Sequence, residues 1–382
     1  MKRELIQPKE KSMVVLDIKL DNLYAFKNFH MNLTYPKKIV GSCIGNEHLK
    51  NRPNFRYKKV NIIFGANASG KTTLGRTLMQ IFNFIDKKNY EFITRIIGNP
   101  SQPASFILDL ASGQNILYRV KCGISPCNNG KYSFENITFE IQSENIRSND
   151  SYESCVKRIE AQQYTPNANY LEELEKIEEL DWMFEYPEDT SRTLRFPEDD
   201  PKFLKVLENV LKALDSSIQI VEKSNEVENT YIVRLMDKSI ILQNGEPFTT
   251  SVLSSGTKAG VEVARVLSSL IQERNTFYYC DEKFPYVHTD IEKAILSLMV
   301  ESVQDNAQIF FTTHNSDVLD MNFPKHTFAF LRKDKNNKET PISCVDASML
   351  LKRSTDSLRN AVENDLFCTS PSVDLLYAIS EM

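Results

Sequence analysis

Long hydrophobic runs are missing from this 382-residue sequence, although 41% of its residues are hydrophobic. None of the apolar stretches approaches the roughly 20 residues that a helix needs to cross a bilayer. The opening segment, residues 1–11, carries charges where a secretion signal needs an apolar region. We therefore expect a protein of the cytoplasm that makes no membrane contact, with enough apolar residues for one large core or two smaller ones.

Cysteines are few and scattered, and repeats are missing. The seven cysteines form an odd set in which Cys122 and Cys127 are the only close pair. Because no second pair or nearby histidine accompanies them, we expect reduced thiols and neither a disulfide framework nor a metal site. No heptad series, internal repeat or low-complexity tract occurs, which excludes a coiled-coil arm.

The net charge of −5 hides an uneven distribution of charge along the chain. Residues 170–200 contain twelve acidic and three basic side chains, whereas the segment 50–59 has five basic residues interleaved with Phe55 and Tyr57. An acidic block can dock a basic partner, and basic residues beside aromatic ones can bind nucleic acid. Charge runs are more often solvated surface, and that is the interpretation we favour for both segments.

The stretch 65–72 reads GANASGKT and follows the apolar run VNIIF at 60–64. Glycines in such a loop let the backbone curl so that successive N–H groups face phosphate oxygens at the start of a helix. In this pattern Lys71 reaches the β- and γ-phosphates and Thr72 holds Mg²⁺. We therefore predict a nucleoside triphosphate site. Its loop residues are Gly65, Asn67, Ala68, Ser69, Gly70, Lys71, Thr72 and Thr73.

Three later segments carry residue types that suit the same chemistry. The first reads LSSGTK at 253–258 and precedes a helical pattern, the second is an apolar run that ends in Asp281 and Glu282, and the third leads into His314. Asp281 can hold the water shell of Mg²⁺, Glu282 can polarise the attacking water, and His314 can bind the γ-phosphate. Each segment has an ordinary alternative when taken alone, namely a helix cap, a surface acid pair and a structural histidine.

Hydrophobic periodicity predicts an α/β protein that opens with strands. It indicates strands at 13–20, within 22–33 and at 60–64, a helix through 84, and a hairpin of 105–110 with 116–121. From about residue 143 the chain turns polar, with helices near 171–180 and 203–214 and strands between 218 and 242. We expect residues 143–245 to form an inserted lobe. The remaining divisions are 13–142 and 246–345, two parts of one ATPase lobe, and a C-terminal tail at 346–382.

The order of these segments resembles that of the ABC-type ATPases. The likeness is to the soluble branch with the structural-maintenance-of-chromosomes, RecF and overcoming-lysogenization-defect proteins, and most closely to stand-alone bacterial "AAA family" ATPases. The local stretches LSSGTK, VHTDI after the acid pair, and THNSDVL at 313–319 are similar to segments of that last group. The resemblance implies an ABC-type head with a mixed sheet, an N-terminal antiparallel β-subdomain, and an inserted helical and β lobe without a coiled coil.

The resemblance also implies a function. Two protomers of such proteins enclose two ATP molecules head to tail, so the signature residues Ser254, Ser255 and Gly256 would donate to the γ-phosphate in a second copy. ATP would be hydrolysed to ADP and phosphate by Glu282, His314 and Lys71. Relatives of this kind act in bacterial anti-phage defence beside a separate effector such as a nuclease. A glutamine that contacts Mg²⁺ has no clear match, and Gln102 is our candidate.

Other functions stay open. A DNA-repair or DNA-maintenance ATPase would act on DNA directly, but the sequence lacks arms and carries an acidic insertion. An ATP-regulated nuclease would need catalytic residues of its own, and no histidine follows His326 and no Asp-x-Asp pair follows His314. A subunit of a membrane transporter is disfavoured by the N-terminal strands.

Overall fold

The structure is a computed structural model that describes residues 13–39, 41–127, 131–163, 169–177, 180–186, 201–243, 246–247, 255–282, 287–334, 336–353 and 355–369. The strands within these residues are β1 Met13–Asp21, β2 Phe29–Asn32, β3 His48–Leu49, β4 Arg52–Arg56, β5 Val60–Phe64, β6 Ala104–Ser112, β7 Ile116–Ile124, β8 Ile137–Asn145, β9 Trp182–Glu185, β10 Ile218–Lys223, β11 Thr230–Leu235, β12 Ser239–Gln243, β13 Glu246–Pro247, β14 Phe277–Asp281, β15 Gln308–Thr313, β16 Phe328–Lys333 and β17 Ile342–Asp346. The helices are α1 Lys71–Lys87, α2 Glu91–Thr94, α3 Tyr152–Glu160, α4 Tyr170–Leu174, α5 Pro201–Leu214, α6 Ser255–Ile271, α7 Thr289–Ser302, α8 Ala347–Leu350 and α9 Leu358–Glu363.

A six-stranded mixed sheet forms the centre of the fold, in the order β17-β16-β5-β15-β14-β9. All neighbours are parallel except β17, which runs antiparallel to β16. Every residue of β5, β14 and β15 is buried, as expected for parallel strands covered on both faces. Because Asp281 is level with Thr312, and Thr313 with Phe64, the carboxyl ends of these three strands lie at one edge of the sheet.

The two faces of the central sheet pack against different layers. Phe277 and Tyr279 belong to the core that includes α1 and the five-stranded antiparallel sheet β2-β1-β6-β7-β8. The alternate residues Tyr278 and Cys280 belong to the core that includes α5, α6, α7 and the four-stranded sheet β10-β11-β12-β13. The alternation follows from the period of two along a strand. The central sheet is therefore the middle one of three layers.

Helix α1 approaches β14 closely, and a glycine makes this possible. A Cβ atom at Gly75 would lie 2.4 Å from Cε1 of Tyr279, a distance that real Cβ atoms essentially never show. The hydroxyl of Tyr279 donates a hydrogen bond of 2.6 Å to the carbonyl oxygen of Lys71. The ring of Tyr279 thus fixes the first turn of α1 against the strand that ends in Asp281.

These features confirm the predicted fold class, including the N-terminal antiparallel sheet and the mixed sheet. One strand falls differently from the expected organisation. Strand β9 lies inside the span 143–245, which we expected to form an inserted lobe, yet it pairs in parallel with β14 at the edge of the central sheet. Its apolar residues occur within the acidic block, so composition conceals it. The division of the chain into lobes remains a prediction.

The longest helices in the described ranges are α1 and α6. They have 17 residues each and pack on opposite faces of the central sheet. Among the residues that the structure describes, no helix combines the length and the apolar character required to cross a membrane.

Candidate nucleotide-binding site

The loop between β5 and α1 is shaped by backbone conformations that favour small residues. Gly70, which caps α1, has a φ of 106°, and Ala68 has a φ of 61°. A Cβ atom at Gly65 would lie 2.5 Å from Oγ of Ser69 and 2.6 Å from the carbonyl oxygen of Leu331. Position 65 therefore needs glycine because the loop folds tightly over the end of β5.

The side chain of Lys71 is only 4% exposed and points back to its own loop. Its ammonium donates to the carbonyl oxygens of Gly65 at 2.8 Å and Ala66 at 3.2 Å, and lies 3.1 Å from Oε1 of Glu282. Ser69 Oγ is buried and has no hydrogen-bond partner among the described residues. A buried cation and an unsatisfied hydroxyl in one loop fit an anion with several oxygen acceptors.

Asp281 connects the loop to the strand ends of the central sheet. Its Oδ2 accepts a hydrogen bond of 2.6 Å from the hydroxyl of Thr72, and its Oδ1 accepts one of 2.6 Å from the hydroxyl of Thr312. The carboxyl group is fully buried, and this burial raises its pKa above the ordinary value. The two threonine hydrogen bonds oppose that rise, and the neighbouring charge of Glu282 adds to it. A buried carboxylate beside a threonine hydroxyl is a donor set that suits Mg²⁺.

Glu282 follows directly and adopts a left-handed backbone conformation with a φ of 39°. Its N–H donates to the hydroxyl of Thr312 at 3.0 Å, which holds the residue at the end of β14. Oε1 of Glu282, besides contacting Lys71, lies 3.8 Å from Nδ1 of His314, whose side chain is 56% exposed. A positive φ at a residue other than glycine is uncommon and is found at functional positions.

Two cavities meet at Glu282. The first, which we call the loop cavity, has a volume of about 500 Å³ and is lined by Ala25, Asn67, Ala68, Gly70, Lys71, Thr72, Thr73, Glu282, Lys333 and Ile342. The second, the switch cavity, has a volume of about 340 Å³ and is lined by Glu282, Val287, Thr289, Glu292 and residues 311–316, which include His314. Glu282 thus lies between the phosphate loop and the segment that carries His314.

Several residues named from the sequence come together here, and others do not. The loop residues, Asp281, Glu282 and His314 lie at one edge of the sheet, as the distances above show. Gln102 lies in the turn before β6, where its carbonyl oxygen accepts from the Asn22 side chain, and it is not among the lining residues of the loop cavity. Ser254 lies outside the described residues, and the chain from Ser255 and Gly256 onward forms α6.

Sequence reasoning missed four contributors to this region. Thr312 was visible only as part of an apolar run, although it directly precedes Thr313 and His314. Glu292 is one acid among several in a helical pattern, so only its burial distinguishes it. Lys333 and Ile342 reach the loop cavity because β16 and β17 pair beside β5, and no local signal predicts that contact.

Comparison with known proteins agrees with this geometry. The family model described as "AAA domain, putative AbiEii toxin, Type IV TA system" matches residues 60–321, more than half of the chain. A structure of an Smc head bound to the C-terminal winged-helix domain of ScpA matches with a TM-score of 0.52 and 12% identity, covering 89% of this chain and 99% of that one. A second Smc head, from Pyrococcus furiosus and bound to the C-terminal domain of ScpA, matches with a TM-score of 0.50 and 11% identity over 89% of this chain and 98% of that one.

Among proteins with curated descriptions, none matches this sequence. The identity to the Smc heads is low, so those matches concern the fold. The family match covers both the phosphate loop and the segment that carries His314. The chain therefore belongs to this AAA-domain family, and its fold is that of an ABC-type ATPase head, like the fold of the two Smc heads.

Proposed function

We propose that the protein binds ATP with Mg²⁺, associates head to tail with a second copy in that state, and hydrolyses the ATP to ADP and phosphate. One observation carries the proposal above all others. The hydroxyl of Thr72 and the carboxylate of Asp281, which are 209 positions apart in sequence, are 2.6 Å apart in the fold. The loop that suits phosphate and the acids that suit a metal and a water thereby form one site.

Different residues of the chain would contact the phosphates, hold the metal and accept the proton. Lys71 would exchange its contacts with two loop carbonyls for phosphate oxygens, which are stronger acceptors because they are charged. Thr72 and Asp281 would hold Mg²⁺, which neutralises charge on the phosphates when bound. Glu282, next to both, would accept a proton from the attacking water, and His314 would contact the γ-phosphate from the switch cavity.

A second copy would complete the site through the signature residues Ser254, Ser255 and Gly256. Two of these residues open helix α6, which packs on the face of the central sheet opposite α1. A position on the opposite face of the sheet from α1 supports a role outside the chain's own site. The N–H groups at a helix start are suited to an anion presented by a partner.

The ATP-dependent association would control a separate effector, such as a nuclease. The protein would act in this way in bacterial anti-phage defence in the cytoplasm. A family description that names a putative toxin of a toxin–antitoxin system favours this output. Smc heads bound to domains of ScpA are examples of the same fold holding a partner protein. The alternatives are an ATPase that acts on DNA directly in repair or maintenance and an ATP-regulated nuclease.

Light scattering on purified protein tests the dimer. Glu282→Gln removes the base and keeps the size of the side chain, so we expect it to double in mass from 43.9 kDa with ATP and Mg²⁺ and to remain single with ADP. Lys71→Ala is the matched control and should stay single in both nucleotides. If Glu282→Gln binds ATP and keeps the mass of one chain at all concentrations, the head-to-tail mechanism is wrong.

Capture of partners tests the output. The Glu282→Gln form with ATP should retain an effector protein that Lys71→Ala does not retain. If the trapped form instead binds DNA in a mobility-shift assay and no protein, the DNA-maintenance alternative is favoured. Cleavage of DNA or RNA by the purified chain alone would favour the regulated nuclease.

A further inference from the structure

Glu292 is a buried acid that the roles above do not use. It lies in the first turn of α7, and only 4% of the residue is exposed. Its Oε2 accepts a hydrogen bond of 2.6 Å from Nδ2 of Asn315, and its Oε1 accepts one of 3.2 Å from the hydroxyl of Thr313. These two partners are the residues on either side of His314.

The same contacts order the whole segment that follows β15. The hydroxyl of Thr313, which donates to Glu292, also accepts the N–H of Asn315 at 3.0 Å. Oδ1 of Asn315 accepts the N–H of Asp317 at 3.0 Å and so caps the short 3₁₀ helix at Ser316–Asp320. The side chain of His314 is largely exposed, and its Nδ1 lies 3.8 Å from Oε1 of Glu282. The hydrogen bonds that order this segment are those of the two neighbours of His314.

Burying a carboxylate between α7 and the end of β15 carries a desolvation penalty. Burial raises the pKa of Glu292, while the hydrogen bonds from Asn315 and Thr313 and the charge of His314 oppose that rise and the charge of Asp317 adds to it. Glu282 shares the switch cavity with Glu292, so two acids face the same space. An apolar side chain of similar size would join α7 to β15 at lower cost, but it could not hold two hydrogen-bond donors in place.

We propose that Glu292 is a positioning residue that holds His314 toward Glu282 by fixing the residues on both sides of it. Through these two hydrogen bonds the first turn of α7 is joined to the residues that flank His314. The inference rests on the proposed function, in which His314 acts on the γ-phosphate, and it extends that function to a residue that does not touch nucleotide.

Steady-state kinetics with a double-mutant cycle give the first test. We expect Glu292→Ala to lower kcat about tenfold with a change in KM for ATP of less than about twofold. Glu292→Gln keeps an oxygen that can accept from Asn315 and replaces the acceptor for Thr313 by an N–H that can donate to the same hydroxyl, so it should stay within about threefold of wild type. In a His314→Ala background, Glu292→Ala should have no further effect, because the residue acts through His314.

A matched control separates position from stability. Glu173 on α4 is also buried, and it accepts the N–H of Ile141 at 3.2 Å on the far side of the central sheet from α7. We expect Glu173→Ala to lower the midpoint of thermal unfolding as Glu292→Ala does, without changing kcat per folded molecule. If the two variants have the same kcat, or if Glu292→Ala and His314→Ala lower kcat independently, the inference is wrong.

A spectroscopic test does not depend on turnover. In protein labelled with ¹³C at histidine Cε1, the His314 resonance is assigned by its loss in His314→Gln. We expect Glu292→Ala to shift or broaden this resonance and to leave those of His30 and His48 in place, whereas Glu173→Ala leaves all three unchanged. An unmoved His314 resonance overturns the inference even if the wild type hydrolyses ATP. A wild type that does not hydrolyse ATP, with a shifted resonance in Glu292→Ala, refutes the proposed function and supports the positioning role.

Discussion

The two edges of the central sheet both hold buried charges, but they balance them differently. At the amino edge, where β5 and β16 begin, Glu47 and His326 form a contact of 2.6 Å with both residues almost fully buried, and Lys58 pairs with Asp346. At the carboxyl edge, the ammonium of Lys71 contacts Glu282, whose side chain is 27% exposed, whereas the buried carboxylate of Asp281 accepts hydrogen bonds from the hydroxyls of Thr72 and Thr312.

The paired groups at the amino edge stabilise the fold, whereas the acids at the carboxyl edge are suited to bind a ligand. A buried pair with matched partners satisfies itself, and breaking it costs stability. An excess of buried negative charge is costly in the folded protein unless a cation joins it, and perturbed acids of this kind cluster at functional sites. We therefore expect substitutions at the carboxyl edge to change turnover and those at the amino edge to change stability.

The largest effect is expected from Glu282→Gln. Loss of a general base lowers turnover by 10²–10⁴-fold in typical cases, so we expect a fall in kcat of about 10³-fold. Stability should change little, because the glutamine still offers an acceptor to Lys71. Phosphate release measures kcat, and denaturant unfolding measures stability. A variant that keeps a tenth or more of wild-type turnover would show that another group activates the water.

The opposite pattern is expected from Glu47→Ala. It leaves the buried His326 side chain without its hydrogen-bond partner, which costs about 2 kcal/mol of unfolding free energy. Urea unfolding measures this loss, while kcat per folded molecule should match the wild type. Glu175→Ala is the control, since Glu175 and its partner Lys88 are 69% and 41% exposed and lie 3.4 Å apart, so we expect a loss below about 1 kcal/mol. Equal losses in the two variants would contradict the distinction between the edges.

A smaller effect on turnover is expected from Thr312→Val. The hydroxyl of Thr312 donates to Asp281 and accepts the N–H of Glu282, so its loss removes one hydrogen bond from each of the two residues. We expect kcat to fall about tenfold, which corresponds to one or two hydrogen bonds. Thr312→Ser retains the hydroxyl and should retain most of the activity. Equal activity in the valine and serine variants would remove Thr312 from the site.

The smallest effect is a gain in stability from Asp281→Asn. Because burial raises the pKa of Asp281, the folded protein keeps this proton to higher pH than the unfolded chain does, so the free energy of unfolding falls as pH rises through the raised pKa. We expect the variant to melt about 2 °C higher than wild type at pH 7.5 in EDTA. The gap should close near about pH 3, where the unfolded carboxyl is also protonated. A variant that melts lower at pH 7.5 would show that the charge is compensated without a metal.

Parts of the fold and site with local sequence signals could be predicted. The phosphate loop 65–72 is contiguous, and the strands that end in Asp281 and at Thr313 are apolar runs closed by polar residues. The order of these segments along the sequence indicates the ABC-type architecture. The hairpin of β6 and β7 likewise follows from two apolar runs around a turn.

Other parts depend on contacts between distant segments, which no window of sequence contains. Glu292 differs from exposed acids only because α7 buries it against residues that flank His314. Strand β9 has four residues beside an acidic stretch, and its place at the sheet edge is fixed by pairing with β14. The left-handed backbone of Glu282 occurs together with a hydrogen bond from its N–H to Thr312, thirty residues later.

The close approach of Gly75 to Tyr279 has a consequence for how this protein can change over time. A methyl group at position 75 would run into the ring at position 279, and a shorter side chain at position 279 would leave a hole and lose the hydrogen bond to Lys71. A substitution at either position alone would therefore destabilise the contact between α1 and β14. We expect the two to vary together across descendants of this chain, as a correlated pair that links the helix after the phosphate loop to the strand that ends in the acids.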